Sequence, residues 1–115
     1  MKSEEINMTA KEARAKSDAV RNVQIQAAKE LALSEWNTSL APKIDEACKT
    51  GGYSVYYNWD AEFFKNKQAH PRDFEDAILA VCENLGYAAK ARCDYLCGSF
   101  VKMYMELNWK GEENE

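Results

Sequence analysis

The sequence predicts an α+β domain: a long N-terminal helix and a second helix on one face of a three-stranded mixed β-sheet, in the order α-β-α-β-β. Three observations carry this. Apolar residues recur at helical spacing up to Gly51-Gly52. Beyond the glycine pair they alternate as in strands, in three separate stretches. Between the first and second of these, the periodicity returns to helical over one short segment that opens at Pro71.

The first helix begins at Thr9-Ala10-Lys11-Glu12, a capping box in which the Thr9 hydroxyl accepts from the Glu12 amide and the Glu12 carboxylate reaches back. Val20, Val23, Ala27 and Leu31 share one face. Leu40, Ile44, Ala47 and Cys48 continue a similar stripe. Asn37-Thr38-Ser39 weakens the middle, and the Pro42 ring clashes with the preceding turn of an unbroken helix. A kink or break between Asn37 and Pro42 is therefore expected, with Ser39 as the candidate cap of a second helical segment. Gly51-Gly52 stops the helix.

Residues 53–59 are β-branched and aromatic, with Tyr53, Val55, Tyr57 and Trp59 on one side and Ser54, Tyr56 and Asn58 on the other. Residues 60–70 keep no clear period, but Phe63 and Phe64 require burial. Pro71 opens a helix with Phe74, Ile78, Val81 and Leu85 as its stripe and Asp73, Glu75 and Asp76 in or near its first turn, where the dipole favours acids. Gly86 ends it. Tyr87, Ala89, Ala91 and Cys93 then alternate with Ala88, Lys90 and Arg92. After a link near Gly98-Ser99, Val101, Met103, Met105, Leu107 and Trp109 point inward, and Lys102, Tyr104, Glu106 and Asn108 outward. The first two strands are expected to be parallel, being joined through a helix, and the last antiparallel to the second. With two helices on one side, the other face of the sheet is open.

A chain of 115 residues is one domain, read as residues 9–110 between a disordered start (1–8) and an acidic tail (111–115). The net charge is −4, and residues 53–115 carry all of the excess acid. That field disfavours a broad DNA-binding surface. No stretch reads as a secretion signal or a membrane span, so a cytoplasmic setting, no membrane partner and free thiols are expected.

The chemistry-bearing residues are few. Cys93 and Cys97 are four apart and Cys48 and Cys82 are isolated, unlike the paired spacing of structural zinc; no metal and no cofactor is expected. His70 is the only histidine and has no evident nucleophile to activate. Asp73 with Asp76, and Asp60 with Glu62, are carboxylate pairs that helix-end chemistry explains. No phosphate-cradling glycine motif is present. No catalytic residue is assigned, and the chain reads as a non-enzyme. Two surfaces stand out instead. The open sheet face carries Tyr56, Lys90, Arg92, Lys102 and Tyr104, either a solvated face or a platform for a protein, a nucleotide or single-stranded nucleic acid. The first helix is longer than a three-stranded sheet can cover, so its stripe Val20, Val23, Ala27 and Leu31 either is solvated or forms a homo-oligomer interface.

Residues 44–109 also resemble small bacteriophage-encoded proteins of unknown function. The matching pieces are Ile44 to Ala47, Gly52-Tyr53-Ser54-Val55, Leu85-Gly86-Tyr87 and Leu107-Asn108-Trp109. The resemblance implies a viral accessory protein in the host cytoplasm that binds and modulates, for example inhibits, a host protein or host defence. It carries no catalytic residues.

Overall fold

The computed structural model describes residues 8–111. The expected disordered start and acidic tail lie, apart from Met8 and Gly111, outside the described residues.

Helix α1 runs from Ala10 to Glu35. It opens with the expected capping box: the Thr9 hydroxyl accepts from the Glu12 amide at 3.1 Å, and the Glu12 carboxylate accepts from the Thr9 amide at 3.0 Å. The chain does not break before Pro42. Residues Trp36–Leu40 wind as a π-helix and lead directly into α2, Ala41–Lys49. In an α-helix the proline ring would collide with the carbonyl four residues back. The wider π turn relieves that clash and keeps the helix continuous, with the Ala41 amide donating to the Trp36 carbonyl. Ser39 is not a cap; its hydroxyl donates to the Glu35 carboxylate at 2.9 Å. At the far end Gly51 takes φ +82°, the left-handed conformation that ends α2.

The remaining elements are β1 (Ser54–Asp60), α3 (Ala61–Phe64), α4 (Pro71–Asn84), β2 (Ala88–Leu96) and β3 (Ser99–Asn108). The α+β class and the order of the main elements are as the sequence predicts, with α3 added in the segment that lacked a period. Asp60 caps α3 by accepting from the Phe63 amide at 3.1 Å.

The sheet is not mixed. Its order is β1-β3-β2, and both pairings are antiparallel. β1 and β2 do run in the same direction, as a strand–helix–strand connection requires, but β3 returns from β2 by a tight hairpin and inserts between them. β3 is the most apolar strand, and its central place buries Met103, Met105 and Leu107 almost completely. The hairpin turn is Cys97-Gly98, with both residues at positive φ (53° and 83°), the geometry of a type I′ turn.

Two details of packing also differ from expectation. The buried stripe of α4 is Phe74, Ile78 and Cys82; Val81 is half-buried and Leu85 exposed. Helix α1 packs chiefly against α4, burying Ala28 and Ala32, and reaches the sheet at its last residue, where Glu35 accepts from the Trp59 indole. Trp59, Phe64 and Phe74 interlock at the centre, with Trp59 and Phe74 edge to face at a centroid distance of 5.0 Å. The N-terminal part of α1 projects beyond this body. The Cα radius of gyration is 19.1 Å, against about 13 Å for a compact chain of similar length.

Candidate functional site

The strand phase read from the sequence is correct on the open face. Tyr56 is 66% and Tyr104 37% exposed, and Lys90 and Arg92 are exposed beside them. The register sets them in rows across the sheet. Glu106 on the central strand lies between Tyr56 and Lys90. Tyr104 lies between Asn58 and Arg92, and Lys102 between Asp60 and Asp94. The five residues singled out in the sequence therefore share one face, with Lys102 one row from Tyr104 and two rows from Tyr56.

Tyr56, Asn58, Lys90, Arg92, Tyr104 and Glu106 line a shallow groove of about 340 Å³. Arg92, on the edge strand β2, is held in place from two sides. Its guanidinium stacks 4.6 Å from the Tyr104 ring centroid, and its Nε donates to Asp94 Oδ1 at 3.0 Å. The hydrogen bond to Asp94 raises the Arg92 pKa further, so the cation is permanent.

Sequence reasoning missed the acids of this face. Asp60, Asp94 and Glu106 occupy the same phase: Glu106 stands in the row of Lys90, Asp60 and Asp94 stand in the row of Lys102, and Arg92, whose own row holds no acid, bonds Asp94 in the next row. Three positive and three negative side chains alternate, so the face has no net charge. The missed signal was the register: the outward phase of Glu106 was legible, but its position between Tyr56 and Lys90 needed the strand order.

The helix stripe is only partly a surface. Val20 and Val23 are 57% and 53% exposed, and Ala27 is half-buried. Leu31 packs against the core cluster and belongs to the fold's interior margin rather than to a free face. Below Val20 and Val23, Phe64, Ala69 and His70 complete a groove of about 470 Å³. Asp73, read from sequence as a helix-dipole acid, is also the receiving end of a clasp. The two terminal nitrogens of the Arg21 guanidinium, Nη1 and Nη2, donate to its carboxylate, each at 2.9 Å, tying α1 to α4.

Two of the thiols, Cys82 and Cys93, are set up against nucleophilic chemistry. Burial pushes Cys82 up to about 11. Burial, then the neighbouring Glu75 carboxylate, pushes Cys93 to about 11 as well, and its thiol lies 3.6 Å from Glu75 Oε1. Cys97 sits exposed at the hairpin tip, and the two do not form a pair. Among the described residues no three His, Cys, Asp or Glu side chains are grouped to hold a metal ion, and no helix is long and apolar enough to cross a membrane.

The chain matches no protein-family model, no curated protein and no solved structure.

Proposed function

We propose that this chain is a non-enzymatic interaction protein that docks another protein on its open sheet face. The observation that carries the reading is the pairing of exposed Tyr56 and Tyr104 with a fixed Arg92 on a face without net charge. Tyrosine and arginine are the residues that most often dominate protein-binding energy. Alternating charges recognise a complementary pattern on a partner and reject a uniformly charged one. With the resemblance of residues 44–109 to phage proteins, the partner is a host protein, and the role is modulation of host machinery or defence.

The second reading is a nucleotide or single-stranded nucleic acid stacked on the tyrosines. Exposed aromatics beside Lys90 and Arg92 favour it; the interleaved Asp94 and Glu106 oppose it, because a polyphosphate backbone is attracted by a basic groove.

The deciding experiment compares baits in bacterial lysate. The unmutated protein should retain a defined protein that both Tyr56→Ala and Arg92→Ala lose. Nucleoside triphosphates and oligothymidylate should leave the melting temperature unchanged. Oligonucleotide binding that falls tenfold in Tyr104→Ala would replace the first reading with the second.

A further inference from the structure

We propose that two copies of this chain join edge to edge through β2, antiparallel about a two-fold axis at Cys93, so that their sheets continue as one. β2 is an edge of the sheet, paired on one side only, by β3. Alternate residues of an antiparallel strand turn their N–H and C=O groups to opposite sides. The two-residue turn closes on the pair Leu96 and Ser99, and the extra residue of the bulge, Val101, lies on β3, so β2 alternates without a break. Ala91, Cys93 and Tyr95 therefore direct their backbone groups to the free edge. Such an edge is a template for a further strand, and no proline interrupts it. Besides β3, the element that packs against β2 is α4. Helix α1 meets α4 on the flank of Asp73 and Ala77 and stays clear of Glu75, whose carboxylate lies 3.6 Å from the Cys93 thiol.

Charge complementarity selects both the occupant and the register. Lys90, Arg92, Asp94 and Leu96 share one phase of β2, and the Arg92 and Asp94 side chains are 69% and 42% exposed. A two-fold normal to the sheet at Cys93 sets Arg92 opposite the partner's Asp94, and Asp94 opposite the partner's Arg92. Arg92 already donates to Asp94 along its own strand at 3.0 Å. The four groups thus close a ring of alternating charge, with contacts along each strand and across the axis. Lys90 falls opposite the partner's Leu96, and Ala91 opposite the partner's Tyr95, small against large. Tyr95 and Leu96 are both exposed in the single chain and gain cover. Other registers lack this match. An axis at Lys90, Arg92 or Asp94 sets that charge against its own copy, and an axis at Ala91 sets Lys90 against the partner's Arg92. A parallel pair in register sets every charge against itself. On the helix side of the sheet, Glu75 and Arg72 both act on Cys93, so each copy brings one acid and one base to the axis. The edge is self-complementary under a two-fold, which is the requirement for a closed dimer. The dimer runs the two open faces into one surface, which docking of another protein does not by itself require.

Light scattering on the isolated chain from about 1 to about 100 µM should show a concentration-dependent dimer. Arg92→Asp and Asp94→Arg, each alone, set like charges opposite at both crossings and should weaken the dimer about tenfold or more. An equimolar mixture of the two variants restores both pairs and should dimerise as the unmutated chain does. The double variant Arg92→Asp, Asp94→Arg keeps the contact along the strand and the pairs across it, and should dimerise as well. Circular dichroism should show the same folded spectrum in every case. A monomer throughout the concentration range would overturn the proposal and leave the edge to a strand of another protein. A dimer that the single variants leave unchanged would also overturn it, as would a folded double variant that stays monomeric. None of these measurements involves a host protein, so the docking reading and the dimer stand or fall separately.

Discussion

The Glu35 carboxylate is the acceptor that joins the π-helical segment to the sheet. Its Oε1 accepts from the Trp59 indole Nε1 at 2.8 Å and from the Ser39 hydroxyl at 2.9 Å. Trp59 is 3% exposed, so its N–H has no solvent to turn to if the acceptor is removed. Glu35→Ala should therefore cost about 2 kcal/mol: a hydrogen bond to a charged group contributes about 1.5–3 kcal/mol, and an orphaned buried donor costs about 1–3 kcal/mol. Release of the half-buried carboxylate from its own desolvation offsets part of this. Glu35→Gln keeps a carbonyl acceptor and should lose roughly half as much.

Urea unfolding followed by circular dichroism measures the cost, and a cycle with Trp59→Phe assigns it. Phenylalanine has no N–H to leave unpaired. In that background Glu35→Ala should cost about 1–2 kcal/mol less than in the unmutated protein. The melting temperature should fall by about 3–6 °C per kcal/mol in a chain of this size. A loss below about 0.5 kcal/mol, or a coupling indistinguishable from zero, would refute the claim that this contact holds the helix to β1.

The Arg21 guanidinium, chiefly through its hydrogen bonds, holds the Asp73 carboxyl below its ordinary value near 3.9, so the clasp stabilises at neutral pH and its contribution is lost as pH falls below about 4; Asp73→Asn should reduce neutral-pH stability and flatten the acid limb of the stability curve. Iodoacetamide at mild alkaline pH should modify the exposed Cys48 and Cys97 rapidly, the half-buried Cys93 more slowly, and Cys82 only after denaturation; equal rates for all four read by mass spectrometry would contradict the burial that raises Cys82 and Cys93. Cys97→Asn should raise stability by about 0.5–1 kcal/mol in urea unfolding, because asparagine adopts the left-handed conformation of that turn position more readily.

Short-range chemistry was legible in the chain. The Thr9 capping box, the glycine stop at Gly51 and the alternation of β3 from Met103 to Leu107 each depend on residues within a few positions, and each stands in the structure as read; Val101, read as inward, is 42% exposed near the hairpin end. The strand order was not legible, because it depends on which strand gains most from a central place. Met103, Met105 and Leu107 make β3 that strand, whereas the alanines of β2 leave it better suited to an edge under α4. Pro42 shows a different limit: the steric conflict was visible, but a helix has two ways to resolve it, breaking or widening. The anchoring of Leu40, buried completely, and of Glu35 on Trp59 holds the chain on course through the conflict and favours the wider turn. The open face combines both limits. Its aromatic and basic residues were visible from phase alone, and from them a phosphate ligand was as reasonable as a protein. Once β3 is placed in the centre, each cation gains an acid in its own row or beside it, and the same residues become a pattern suited to another protein's surface.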